Sequence, residues 1–354
     1  MYENYGVGRL KPWLEKLVRI NESGTILSLP QAGVSRTMAA VVEQLGWGNR
    51  LGVVDFLLEG EVRDEIEKLA EGGCQYILLK NVDGNGQKFE EYLGWLEAVR
   101  NQMGKKINYI WQLHTLPNLL VEHLERWAEL FPVNTMYFPY SSGEELDILI
   151  GQNEERFGVE FSSKEKVRLG ELSGGCPFLL KNICKRFGEL GDLEMDDLAI
   201  DWGVSLLKQM DKRLVIAVKN QNKAREDIWH FCQQTGLLDQ NGEVRSLIMV
   251  EALERIDLGI KVEVNPESGK LETSEGEELE QLTPAEMEVM QQIVRSRKIS
   301  REEVAKLVYG ETRAARVEEY SIDKIMSNLR LKLQSYGVED FIKTRKGYGW
   351  GIEN

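Results

Sequence analysis

An unbroken apolar run, GTILSL at 24–29, stops at Pro30 and passes through PQAGVSRT into a helix-period stretch, TMAAVVEQLG. A strand that is apolar on both faces belongs inside a sheet covered on both sides, and such sheets are built from parallel strands joined by crossover helices. The segments NRLGVVDFLL, CQYILLKNVDG, KINYIWQLH and NTMYFPY repeat the theme, with helical stretches between them. Residues 1–200 therefore predict an α/β protein with a parallel sheet.

At 354 residues the chain suits two or three domains. No segment approaches the roughly 18–20 continuous apolar residues of a membrane span. The first residues, MYENYGVGRLKPWLEKLVRI, are amphipathic and lack a secretory leader's apolar core. Cys74, Cys176, Cys184 and Cys232 are scattered without a C-x-x-C pair, which argues against disulfides and zinc. A cytoplasmic chain with no membrane partner and no metal is expected.

A change of pattern and Gly259 place a boundary near 256–260. Beyond it, KVEVN, GKLET and EELEQL alternate apolar and polar residues around the turn-like NPESG and SEGE, as a small antiparallel meander does. In LTPAEMEVMQQIVRS, Thr283 caps a helix, Pro284 takes its first position and Glu286 completes a capping box. Ser300 and Glu303 form a second box ahead of SREEVAKLVYG. A third helix, about Glu319 to Gln334, aligns Ile322, Met326, Leu329 and Leu333 on one face. FIKTRKGYGWGIE closes the chain as two strands around a basic, glycine-containing turn.

Strands, three capped helices and a terminal hairpin in this order resemble the OmpR/PhoB-type winged-helix effector domain. The resemblance covers roughly 260–354 and rests on LTPAE, SREEVAKLVYGE, SIDKIMSNLRLKL and IKTRKGYGW. It implies binding of double-stranded DNA, with the third helix in the major groove and the hairpin wing in the minor groove. With its apolar stripe buried, that helix presents Ser321, Lys324, Ile325, Ser327, Asn328 and Leu331. Asn328 falls at a base-contacting position of the family and suits an adenine edge, and Ile325 suits a thymine methyl. Tyr320, Ser321, Lys324, Arg330 and Thr344 are the phosphate-contact candidates, and Lys346 stands at the wing tip. Met290–Asn354 holds 13 Lys/Arg against 9 Asp/Glu, but the whole chain carries −14, so affinity for random DNA should be modest.

PQAGVSRT occupies the place of a phosphate-binding loop, G-x-x-x-x-G-K-[ST], whose backbone N–H groups and following helix cradle phosphates. Pro30 stands for the first glycine, Ser35 for the second, Arg36 for the lysine and Thr37 for the magnesium-binding hydroxyl, with Gly33 between them. The third strand ends ILLKNVDG. Farther on come ELSGGCPFLLKNICKRF and FCQQTGLLDQNGEVRSLIMVEAL. In order and spacing these resemble the nucleotide loop, the lid and the small winged helix of AAA+ and STAND proteins, replication initiators included. The resemblance implies a parallel-sheet P-loop domain over 1–150, a helical lid over 151–200 and a small winged-helix-like domain over 201–257. An OmpR/PhoB-type winged helix-turn-helix follows over 258–354.

Where the resemblance places metal-binding and water-orienting acids, this chain has Lys80 and Asn81, and only Asp83 stays acidic. Arg36 also differs from lysine in shape and hydration. Phosphoryl transfer depends on metal-assisted positioning, so a non-hydrolysing module, a pseudo-ATPase, is expected. Binding of ATP or ADP by Gly33, Ser35, Arg36 and Thr37 and a purely structural strand–loop–helix both remain open. His114, at the usual sensor position, His123 and His230 share no metal-ligand spacing. The resulting expectation is a DNA-binding transcription regulator with a sensor or assembly module, self-associating or contacting RNA polymerase or a regulatory protein. The alternatives are an active ATP-dependent switch or replication-initiator-like protein, and a protein-interaction scaffold.

Overall fold

The computed structural model describes residues 5–57, 62–83, 89–104, 106–121, 124–127, 130, 134–221, 225–265, 270–274, 278–279, 282–314, 316–338 and 341–352. The chain divides into two units, Met1–Leu214 with Arg225–Arg255, and Val215–Ala224 with Ile256–Asn354.

The first unit opens with α1 (Val7–Ile20), β1 (Gly24–Ser28), α2 (Val34–Leu45), β2 (Leu51–Asp55), α3 (Val62–Glu71) and β3 (Tyr76–Lys80). It continues through α4 (Phe89–Gln102), β4 (Asn108–Leu113), α5 (Pro117–Leu120) and β5 (Thr135–Phe138). All five strands are parallel, in the order β2-β3-β4-β1-β5. Every residue of β1 and β4 is buried, as their apolar runs demand. Of the polar groups of β4, the Asn108 amide donates to Asn21 Oδ1 at 3.0 Å and the buried Trp111 indole donates to Leu130 O at 2.6 Å, while Asn108 Oδ1 and Gln112 Oε1 are buried without a hydrogen-bond partner among the described residues. From β1 the chain crosses to the far edge at β2, steps back through β3 to β4, then passes to β5 on the other side of β1. The connections therefore diverge at the carboxyl end of β1, a topological switch point where an open α/β sheet leaves a crevice.

Helices complete this unit: α6 (Glu144–Phe157), α7 (Ser163–Ser173), α8 (Pro177–Leu190) and α9 (Asp197–Leu207). After α10 (Lys212–Lys219), whose residues from Val215 belong to the second unit, come α11 (Glu226–Gln234) and α12 (Leu247–Arg255). A Ser162–Glu165 capping box starts α7, and Pro177 in its first turn starts α8. Between them Gly175, at φ +79°, passes so near Ser141 O that a Cβ would lie 1.9 Å from it. Only glycine allows this approach, which draws the start of α8 to the segment after β5. Gly203 of α9 likewise meets Ala252 and Ile248 of α12. Within the span 201–257, expected as a small winged-helix-like domain, Leu238 and Val244 form an isolated antiparallel bridge. The Asp239 carboxylate takes the N–H groups of Asn241 and Glu243 and closes a turn too short for a ladder.

The second unit contains β6 (Val262–Val264), β7 (Leu271–Thr273), α13 (Pro284–Ser296), β8 (Lys298–Ser300), α14 (Arg301–Tyr309), α15 (Glu311–Ala314) and α16 (Glu319–Ser335). It ends in β9 (Ile342–Arg345) and β10 (Gly349–Ile352). The Thr283–Glu286 and Ser300–Glu303 capping boxes form as their spacing predicts. Of the expected meander, β6 and β7 pair, and among the described residues the third strand shows one bridge, between Glu272 and Glu278. Most of the NPESG and SEGE turns lies outside the described residues. β8 pairs with β10 and β10 with β9, both antiparallel. The core joins Val289, Ile293, Ile299, Met326, Leu329 and Trp350, and takes in Ile216 from the 215–224 segment. No helix among the described residues is long and apolar enough to cross a membrane.

Candidate phosphate-binding loop and nucleic-acid interface

The loop from Leu29 to Gly33 joins β1 to α2 at the switch point. Gly33 is the N-cap of α2 at φ +88°, and no side chain caps the helix. A glycine thus sits where the chain must turn left-handed, while Pro30 and Ser35 stand at the motif's glycine positions. The uncapped amide dipoles give this helix end a positive character. Pro30 is held from behind by the fully buried Tyr140, whose hydroxyl donates to Pro30 O at 3.1 Å. Burial holds that phenol far above its ordinary range. Gln31, also at positive φ, donates to Gln209 Oε1 at 3.1 Å.

Three clefts of this unit border the loop and α2. One, of about 520 Å³, is lined by Gly33, Arg36, Arg156 at the end of α6, and Phe178 and Lys181 of α8. A second, of about 870 Å³, places Ser35 with Val53, Leu78 and Lys80. The third, of about 530 Å³, gathers Gln31, Asn81, Asp83, His114, Thr115 and Asp211 at the carboxyl ends of the strands. The four loop residues expected to act together are therefore separated. Gly33 and Arg36 share a cleft, Ser35 faces the β2–β3 side, and Thr37 is 2% exposed with its hydroxyl donated to Tyr5 O at 2.8 Å.

At the end of β3, Lys80 lies 3.3 Å from Asp55 Oδ2, and the Asn81 amide donates to Asp55 Oδ1 at 2.7 Å. Burial raises the Asp55 carboxyl, but Asn81, the Leu57 N–H and Lys80 outweigh it and hold it below its ordinary value. Asp83 accepts the backbone N–H of His114 at 2.5 Å, and His114 Nδ1 lies 3.1 Å from Ser28 O. Asp211 accepts from Thr115 at 3.0 Å and from Arg213 at 2.6 Å. His230 packs edge-on against Tyr137, and His123 lies outside the described residues. No group of three or more potential metal ligands occurs among the described residues. Arg156, Lys181, Tyr140, Gln209 and Asp211 carry no motif signal, because each comes to the loop from a distant part of the chain.

In the second unit, Ile322, Met326, Leu329 and Leu333 are buried. Tyr320, Lys324, Ser327, Asn328 and Leu331 are exposed along α16, with Ser321 and Ile325 half-buried. Thr344 and Lys346 are exposed on the β9–β10 hairpin. Arg330 departs from its expected role as a free phosphate contact: it donates to Ile342 O at 3.0 Å and to Thr344 Oγ1 at 2.9 Å. Its guanidinium is occupied in joining α16 to β9.

The sequence matches no family model, and a comparison with curated proteins finds no match. Solved structures are similar in fold. The Walker-type ATPase PABY2304 of Pyrococcus abyssi aligns with TM-score 0.49 and 9% identity over 72% of this chain and 96% of that one. The replication initiator DnaA bound to AMPPCP and single-stranded DNA aligns with TM-score 0.42 and 13% identity, over 71% and 84%. The Thermotoga maritima RuvB Holliday junction branch migration motor aligns with TM-score 0.40 and 12% identity, over 100% and 93%. The expectation of a pseudo-ATPase is not upheld by these comparisons, in which a Walker-type ATPase stands among the similar folds.

Proposed function

We propose that the chain is an ATP-dependent switch of AAA+-like build whose second unit reads double-stranded DNA. One observation carries the nucleotide reading: a left-handed glycine and an uncapped helix end stand at the switch point of a five-stranded parallel sheet, facing a cationic cleft. ATP is the substrate, its phosphates at Gly33 and Arg36. In this reading Asp83, which lines the cleft on the other side of the loop, is the acid that holds an attacking water. The DNA reading draws on the exposed Lys324 and Asn328 of α16 and on Lys346 of the β9–β10 turn, a winged-helix face with the groove assignments given above. A replication-initiator-like role and a transcription-regulating role both follow from a nucleotide-controlled DNA reader, and self-association accompanies either.

Turnover is the test. The full-length protein with ATP and magnesium should release phosphate, and Asp83→Asn should slow release about a hundredfold, the usual scale for losing a positioned acid–base group. ATP binding with no phosphate release beyond that of a buffer control removes the switch reading. A randomised double-stranded DNA library should yield one preferred sequence, and its recovery should change with ATP.

A further inference from the structure

The residues standing where a phosphate-bound magnesium ion would be held do not fit one. The Thr37 hydroxyl is buried and committed to Tyr5 O, and β3 ends in an ammonium and a carboxamide, both turned to Asp55. Cations converge instead on the cleft beside Gly33. Arg36 enters from α2, Arg156 from the last turn of α6 and Lys181 from the second turn of α8, all three exposed. Glu155 is the one carboxylate among the lining residues. No ion pair among the described residues occupies Arg36, Arg156 or Lys181. Arg156 lies 5.5 Å from the centroid of the Phe157 ring, a contact made through the guanidinium's charge rather than through its N–H donors.

We infer that this cleft holds the phosphate chain of a nucleoside polyphosphate by Arg36, Arg156 and Lys181, so that binding needs no divalent metal. The inference rests on the nucleotide reading above and concerns how charge is neutralised. A triphosphate brings three to four negative charges, of which a magnesium ion ordinarily offsets two. Here guanidinium and ammonium groups supply that offset, through hydrogen bonds that are strong because both partners are charged. The cations come from three helices of one unit, so an anion bound among them also ties the loop to α6 and α8.

The experiment is titration calorimetry of the full-length protein with ATP, in magnesium and in excess EDTA. The two dissociation constants should agree within about threefold, and inorganic tripolyphosphate should displace ATP in EDTA. Lys181→Gln and Arg156→Gln should each weaken binding about tenfold in EDTA, the scale of one lost charge-assisted contact. Circular dichroism confirms that each variant is folded. ATP binding that appears only with magnesium, or that both variants leave unchanged, overturns the inference and spares the nucleotide reading. Absence of ATP binding in both buffers overturns the two together.

Discussion

The Thr37 hydroxyl donates a 2.8 Å hydrogen bond to the main-chain carbonyl of Tyr5, 32 residues earlier. The same tyrosine gives its own hydroxyl to Pro139 O and sets its ring edge-on to Phe138 at 5.4 Å. The segment before α1 is thereby pinned to the first turns of α2 and to the end of β5. Thr37→Val keeps the volume but leaves a buried carbonyl unpaired, a loss of about 1–3 kcal/mol. Urea unfolding should show that loss, while ATP affinity stays near that of the parent. A large fall in affinity at unchanged stability would return Thr37 to the ligand site.

Gly33 is the loop residue least open to change. Its φ of +88° costs an L-residue about 1 kcal/mol, although a Cβ would make only ordinary contacts, with the Tyr5 ring at 3.6 Å and Pro177 at 4.0 Å. Gly33→Ala should cost that much stability and also weaken ATP binding, because relief of the strain turns the first amides of α2 away from the cleft. Calorimetry on the variant decides it. Unchanged affinity would mean that the loop does not hold the phosphates.

Asp211 makes part of this unit's stability depend on pH. Burial raises its carboxyl, but Arg213 and Thr115 outweigh burial and leave it below its ordinary value. A depressed carboxyl stabilises the fold above its unfolded value, about 3.9, and that contribution is lost as pH falls through the folded value. Asp211→Asn should therefore lower the urea midpoint at pH 7 and narrow its gap to the parent as the pH drops below about 4. Parallel curves for the two proteins across that range would rule out the linkage.

Thiol chemistry tests the packing of the helices around α8. Cys176, Cys184 and Cys232 are buried, and burial pushes their thiols up to about 11, 12 and 12. Only Cys74 is partly open. A neutral alkylating reagent should modify the native protein once, at Cys74, and four times after denaturation. Rapid native labelling of Cys176 would contradict the close approach of Gly175 to Ser141.

On α16, two substitutions separate sequence reading from general attraction to DNA. Asn328→Ala should relax preference at one base pair, at a cost of about 1–3 kcal/mol in discrimination. Lys346→Ala should weaken binding to most sequences and flatten its salt dependence by about one charge. Both are measured on a randomised library at two salt concentrations. If neither changes DNA binding, α16 and the β9–β10 hairpin do not form the interface.

Local rules made the scaffold legible. The apolar runs Gly24–Ser28 and Asn108–Leu113 gave buried strands, and the Thr283–Glu286 and Ser300–Glu303 spacings gave capped helices, because each depends only on neighbours a few residues away. The α/β class with a parallel sheet follows from the same strand–helix alternation. β8 was not legible, since Lys298–Ser300 is a strand only through its pairing with β10, some fifty residues later.

The candidate site was legible only along its loop. The sequence determined that a turn with Gly33 and Arg36 lies between a buried strand and a helix. Tertiary structure decided which side chains reach it and in which direction each loop residue points. Arg156 and Lys181 come to Arg36 because α6 and α8 line the same cleft as the start of α2, and Tyr140 comes to Pro30 because β5 lies beside β1. Thr37 turns to Tyr5 rather than to a phosphate because α2 begins at Val34, which sets the rotation of every later side chain at about 100° per residue. A motif records the order of residues along the chain. The helix start and the distant segments packed against it decide what those residues touch.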